Sequence, residues 1–181
     1  DFAGKPLYRW ILESLLAVDD IDLIVVNTDA RSILNESGLI DDNRILIRDR
    51  KGELCGDMVS MNLVLSDDIA AIKSDHYLMT HTTNPLLHPQ TIRDAIHIYL
   101  SGVEAGEADS LFSVNRFQTR FYREDGSAVN HDPSKLLRTQ DLEPWLEENS
   151  NLYLFSESSF TTINARIGRN PIMFETPRRE A

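Results

Sequence analysis

Basic residues are scarce in this chain: 18 Lys and Arg stand against 29 Asp and Glu, a formal charge of −11. Nucleic-acid binders gather Lys and Arg into a basic face, so no nucleic-acid partner is expected. The charge does not exclude a small anion such as a nucleoside triphosphate, which needs only backbone N–H groups, a few basic side chains and a metal ion. Cysteine is almost absent. Cys55 alone rules out an intrachain disulfide framework and points to a reducing compartment, the cytoplasm. Without a local His partner it is not read as a nucleophile. No apolar run is long enough to cross a membrane, and the first residues mix Lys5, Arg9 and Glu13 among apolar neighbours, unlike a signal peptide. His81 and His88, with Pro85 between them, match no zinc spacing, so no metal ligand is named within the chain.

What is present is a steady 41% of hydrophobic residues over 181 positions, with no break in composition. That is enough for one core, and a single domain spanning 1–181 is expected. Leu7, Trp10, Ile11, Ser14 and Leu15 follow helical spacing; Asp22 to Val26 is a β-branched run; Thr28 or Asp29 caps a helix from Ala30 to Glu36. Ile45–Ile47 reads as a strand, Asp57–Leu65 as a helix, Tyr77–Met79 as a strand, Gln90–Leu100 as a helix and Ser110–Val114 as a strand. Alternating helices and strands predict an α/β domain with a largely parallel sheet, and a ligand crevice at the carboxyl ends of the strands. Three loops then share one rim: Asn27–Asp29, Arg48–Asp57 and His81–Leu86. From Asn115 to Pro133 alternating aromatics (Phe117, Phe121, Tyr122) around the Asp125-Gly126 turn suggest a hairpin, packed either on a second subunit or on its own domain.

The stretch Leu136–Phe155 sets polar groups suited to a hydroxylated acid ahead of an apolar strand. Arg138 offers a planar fork of donors that matches a carboxylate, and Gln140, Asp141 and Asn149 can bond hydroxyl or amide groups. The segment resembles the Arg-x-Gln-Asp-Leu-Pro…Asn-Gly-x-x-Tyr pattern of the acylneuraminate (CMP-sialic acid) cytidylyltransferases, through Arg138, Gln140, Asp141, Leu142, Asn149 and Tyr153. Glu143 intervenes before Pro144, and Ser150 replaces the Gly. Asn27-Thr-Asp29 resembles the family's Ser-Thr-Asp turn. Arg50, Leu54 and Asp57 resemble its segment near the cytosine, and His81–Leu86 resembles Gln-Pro-Thr-Ser-Pro-Leu, with His81 in the Gln place and Asn84 in that of Ser.

The resemblance implies a Rossmann-like (GT-A-like) nucleotidyltransferase, a three-layer sandwich with a mainly parallel sheet and a protruding dimerisation element over 115–148. It implies a magnesium-dependent enzyme that makes a CMP-sugar and pyrophosphate from CTP and a nine-carbon 2-keto-3-deoxy sugar acid. Arg50, Asp57, Thr83 and Asn84 then face the nucleotide, and His81, Arg138, Gln140 and Asn149 the sugar, with no residue assigned to the chemical step itself. A homodimer is implied. So are a strand with a phosphate-binding loop ahead of residue 1, and a metal-binding Asp-Ile-Asp segment after Arg178-Arg-Glu-Ala181. The related 3-deoxy-octulosonate enzymes carry Asp where Thr83 stands, which sets the acylneuraminate reading ahead of that one. A nucleotide-sugar transferase of similar topology would show an Asp-x-Asp motif where the chain has Thr82-Thr-Asn84, and a non-catalytic sugar-binding dimer is the third alternative. Each site residue also has a plain role: Asp29 and Asp57 as helix caps, Arg50 as part of a solvated turn, His81 as a bonded loop histidine and Arg138 as a surface ion pair.

Overall fold

The computed structural model describes residues 2–38 and 40–180; Asp1, Leu39 and Ala181 lie outside them. In order, the elements are α1 (Leu7–Leu16), β1 (Ile24–Thr28), α2 (Arg31–Glu36), β2 (Ile45–Asp49), α3 (Met61–Ala71), β3 (His76–Met79), α4 (Pro89–Glu104), β4 (Ser110–Phe117), β5 (Trp145–Ser156), α5 (Glu157–Ile163) and β6 (Pro171–Glu175). Short 3₁₀ turns occur at Gly52–Leu54, Thr139–Asp141 and Arg178–Glu180.

β5 explains the layers. Successive side chains of a strand point to opposite faces. Leu152 and Leu154 enter a core with Ile11, Leu12 and Leu15 of α1 and Ile92, Ala95, Ile96 and Tyr99 of α4. Tyr153 and Phe155 enter a second core with Ile69 of α3 and Phe160 of α5. Helices therefore cover both faces, giving the three-layer α/β arrangement.

The strands form two sheets. β1 and β2 pair in parallel, and a four-stranded sheet runs β3-β5-β4-β6. β5 is antiparallel to both β3 and β4, while β6 is parallel to β4, so β3, β4 and β6 share one direction and only β5 is reversed. The expected parallel bias holds, with one reversed strand that the sequence reading stops short of identifying. β1 has no partner on its other edge among the described residues, and neither has β3. Between those edges lies a cavity of about 900 Å³ lined by Val25, Val26, Leu78 and Thr80, with Leu12 and Tyr99 from the helices.

Local chemistry fixes the boundaries. α3 starts at Met61, not Asp57, because Ser60 takes the N-cap and its hydroxyl accepts the Asn62 N–H at 3.3 Å. Ahead of α2, the Thr28 hydroxyl accepts the Ala30 N–H at 3.0 Å and Ala30 is the capping residue, so Asp29 caps nothing. The helix from Pro89 is longer than expected, with Pro at its first position and the His88 ring accepting the Gln90 N–H at 3.2 Å. Phe121 and Val129 begin the anticipated hairpin, which shrinks to one bridge, Tyr122 with Ala128. Its aromatics lie on the chain's own sheet ends, Phe121 sitting 5.6 Å from the ring of Trp145 and 6.1 Å from that of Phe117. No described helix is long and apolar enough to cross a membrane.

Candidate active site

The carboxyl ends of β1, β2 and β3 open onto the same cavity, whose mouth is formed by Asn27, Thr28, Asp29, Arg50, His81 and Thr82. Arg50 leaves the end of β2 and is pinned across the mouth. Its Nε donates to Asn27 Oδ1 at 2.8 Å, and its Nη2 to the Asn27 carbonyl at 3.0 Å. Asn27 in turn donates to Asp68 of α3 at 2.8 Å. Asp68 and Asp67 receive Arg48, and Asp67 also receives Lys51. The hydrogen bond from Lys51, helped by Arg48 against partial burial, holds Asp67 below the ordinary carboxylate range. This brace spends Arg48 and Lys51 on the protein itself and leaves Arg50 half-buried with its second terminal nitrogen unused, suited to a phosphate or a base carbonyl.

The other wall follows β3. His81 is half-buried in the loop after it, and burial first, then the charge of Arg166, keeps its imidazole below the usual histidine range. It is therefore neutral at pH 7 and can both donate and accept. Arg166, on the loop from α5 to β6, lies flat over Tyr153, its guanidinium carbon 4.0 Å from the ring centroid. Its Nη2 donates to the Tyr153 hydroxyl at 3.2 Å, and its Nη1 approaches the Met79 sulfur at 3.8 Å. Tyr153 is fully buried, its hydroxyl bonding Glu148 and sitting 3.1 Å from Ser150 Oγ; burial and Glu148 together raise its pKa.

The remaining sequence-nominated residues divide. Thr83 is exposed on the β3 loop, and Asn84 below it donates to the Ser150 carbonyl at 3.0 Å. Ser150 has φ 60°, the left-handed region in which the resembling family places Gly. Asp57 is exposed ahead of α3 and lies outside the cavity lining. Asn149 is saturated: its oxygen accepts from Ser113 Oγ (2.6 Å) and the Asn151 N–H (3.1 Å), and its nitrogen donates to Asn115 (2.9 Å) and Thr176 (2.7 Å). No group of its amide is left over for a sugar in this arrangement. Arg138 is 72% exposed and forked onto Asp141 through bonds of 2.8 and 3.0 Å, and Gln140 is exposed beside it. Neither lines the cavity. The structure thus gathers Arg50 and His81 at one mouth, with Thr83 and Asn84 on the His81 loop, and sets Arg138 and Gln140 apart on the excursion. The sequence reading missed Arg166 and Glu148 entirely; a lone Arg between Ala165 and Ile167 carries no signal of its own. Among the described residues no three His, Cys, Asp or Glu side chains converge on a point that could hold a metal ion.

The fold has close counterparts among solved structures. A 4-diphosphocytidyl-2C-methyl-D-erythritol synthase from Anaerococcus prevotii superposes with a TM-score of 0.70 at 10% identity, over 100% of this chain and 81% of the other. A CMP:2-keto-3-deoxy-manno-octonic acid synthetase complexed with CTP gives 0.61 at 14% identity, over 97% and 81%. In sequence, two pseudaminic acid cytidylyltransferases of Campylobacter jejuni, serotypes O:2 and O:23/36, are each 22% identical over 165 residues. That stretch is 88% of this chain but 60% of each relative, so the chain spans about three-fifths of their length. The family model described as cytidylyltransferase matches residues 1–174, and the chain belongs to that family.

Proposed function

We propose that this domain transfers the cytidylyl group of CTP to a nine-carbon 2-keto-3-deoxy sugar acid, giving a CMP-sugar and pyrophosphate. The observation that carries the proposal is the shared mouth: Arg50 from one strand end and His81 from another face a single cavity in a chain of this family. The anomeric hydroxyl attacks the α-phosphorus while the bond to the β-phosphate breaks. Rate enhancement of this kind rests on alignment and on stabilising the developing phosphate charge. Arg50, Asp57, Thr83 and Asn84 are the nucleotide side of this proposal and His81 the sugar side. Asn149 serves the site by shaping the β5 turn that carries Ser150. The C. jejuni relatives are named for pseudaminic acid, which supports an acceptor of this class. A cytoplasmic enzyme is proposed with it, on the single cysteine.

Two structural features belong to the same reading. The apolar slot between β1 and β3 has the form of a missing strand position, since two free strand edges face it and the buried Thr80 hydroxyl has no partner. A strand of the longer protein placed there would join the two sheets into one and deliver its following loop to the Arg50 mouth. The excursion is proposed as the homodimer contact: Leu136, Leu137 and Tyr122 are 94%, 48% and 56% exposed on it, a patch that a second copy would cover. Arg138 and Gln140 would then reach the partner's crevice.

The test is pyrophosphate release by the full-length protein with CTP and a panel of N-acetylneuraminic, legionaminic, pseudaminic and 3-deoxy-octulosonic acids. Turnover with a nine-carbon acid supports the proposal. Turnover only with the eight-carbon acid, or with none of them, defeats it.

A further inference from the structure

We infer that Asn27 and Asp68 are positioning residues for Arg50, a relay that fixes how its guanidinium faces CTP; this rests on the nucleotide-side role proposed above for Arg50. All three residues line the cavity between β1 and β3, and each comes from a different part of the fold: Asn27 lies in β1, Arg50 follows β2 and Asp68 lies in α3. Asn27 is the middle member. It accepts Arg50 Nε on Oδ1 at 2.8 Å and donates from Nδ2 to Asp68 Oδ1 at 2.8 Å. Among the described residues its side chain bonds nothing else.

An amide side chain can sit either way round, but here one orientation alone satisfies both neighbours. A guanidinium offers only donors and an ionised carboxylate only acceptors, so Asp68 takes the amide NH₂ and turns the oxygen toward Arg50. The reverse would set an N–H against a cation and a carbonyl against an anion. The Asn27 backbone carbonyl supplies a second point by accepting Arg50 Nη2 at 3.0 Å, and two bonds along one edge of a planar fork fix its plane. Nη1, at the other end, has no partner among the described residues. Asp68 is itself anchored: it receives Arg48, whose Nη2 also reaches Asp67 at 3.0 Å. Cation, anion, amide dipole and cation thus follow one another from Arg48 to Arg50, each polarising the next. A long side chain loses rotamer freedom when it meets a ligand, and an arginine already held in place has little left to lose.

A purely structural tie between β1 and α3 would show the same bonds. CTP binding to the full-length protein, measured by calorimetry beside thermal stability, separates the two. Arg50→Ala should weaken CTP binding about ten- to hundredfold, the worth of hydrogen bonds from a charged donor. Asn27→Ala, which keeps Arg50 but releases it, should weaken binding about three- to tenfold. Asn27→Asp should also weaken it, by setting a second carboxylate against Asp68. Adding Asp68→Asn to Asn27→Asp exchanges donor and acceptor between the two positions and should recover most of the loss, because the new amide donates to the new carboxylate, which still accepts Arg50. Asp67→Asn cuts the brace at a residue bonded to neither Asn27 nor Arg50, and should lower stability while CTP binding holds. If the double variant binds CTP no better than Asn27→Asp alone, or if Asp67→Asn weakens CTP as much as Asn27→Ala does, the contacts are a structural tie and the relay is overturned. It is overturned too if Arg50→Ala weakens CTP and Asn27→Ala does not; Arg50 then keeps its nucleotide role without the relay. If Arg50→Ala leaves CTP binding unchanged, the nucleotide reading of Arg50 fails, and the relay with it.

Discussion

The two sheets share residue types but differ in how completely they satisfy themselves. In the four-stranded sheet Leu111, Leu152, Tyr153 and Phe155 are fully buried, and the polar groups at its carboxyl end are saturated, Asn149 by four bonds and Ser113 by three. In the β1–β2 sheet only Ile24 is buried, neither outer edge has a partner strand among the described residues, and the strands are tied to α3 by the ionic brace of Arg48, Lys51, Asp67 and Asp68. The first holds its shape by packing. The second is tied down largely by charge, and its β1 edge faces the free β3 edge of the first across the cavity.

Replacing the fully buried Phe155 by Ala should break the packed sheet, costing about 3–5 kcal/mol, whereas Val26→Ala in β1 should cost about 1 kcal/mol, because its side chain already faces open cavity. Urea denaturation of the two variants measures the contrast, and equal losses would erase it. A second expectation concerns amide exchange in the 181-residue chain. The Ile24 N–H and the Thr28 carbonyl bond toward β2, so the intervening alternate amides of Val25 and Asn27 point into the slot. Those two should exchange fast while Leu152 to Phe155 exchange only on global unfolding, and protection of Val25 and Asn27 would show that the slot is filled. The smallest effect is pH-dependent. The depressed pKa of His81 means that the unfolded chain takes up a proton that the folded chain refuses, so stability is lost as pH falls below the ordinary histidine value of about 6.5. His81→Gln should flatten thermal stability between about pH 6.5 and pH 5; an unchanged slope would show that His81 is not the source.

How much of this was readable in the sequence follows the same division. β1, β2, β3 and α4 are legible because a β-branched run or a 3.6-residue apolar period marks each. The rule that ligands collect at strand carboxyl ends groups the loops of Arg50 and His81 on one rim, and in the structure both residues line the same cavity. β5 is only half legible: Leu152–Phe155 is apolar, but Trp145–Glu148 is exposed and half acidic, and its pairing with β4 through Trp145 and Glu148 is a tertiary choice. α5 and β6 went unread, since Glu157–Ile163 is a seven-residue helix rich in Ser and Thr, held by the reciprocal cap of Ser156 and Ser159. The site is less legible than the fold. Arg166 becomes relevant only because the α5–β6 loop lays it on Tyr153, and Asn149 changes role once its four partners converge. Arg138 keeps the same fork in either reading; what the sequence could not convey is that the chain turns it outward.

The Asn149 knot has a mechanical consequence. One amide joins β4 through Ser113 and Asn115, its own strand through Asn151, and the end of β6 through Thr176. Beyond it, β5 runs on to Trp145 and the exposed excursion, so the twelve residues of that strand form a single beam clamped near its middle. Whatever rests on the free end is held at a fixed bearing to the loop after β3. The joint is made by an amide rather than by a covalent bond, so its links can re-form whenever they break.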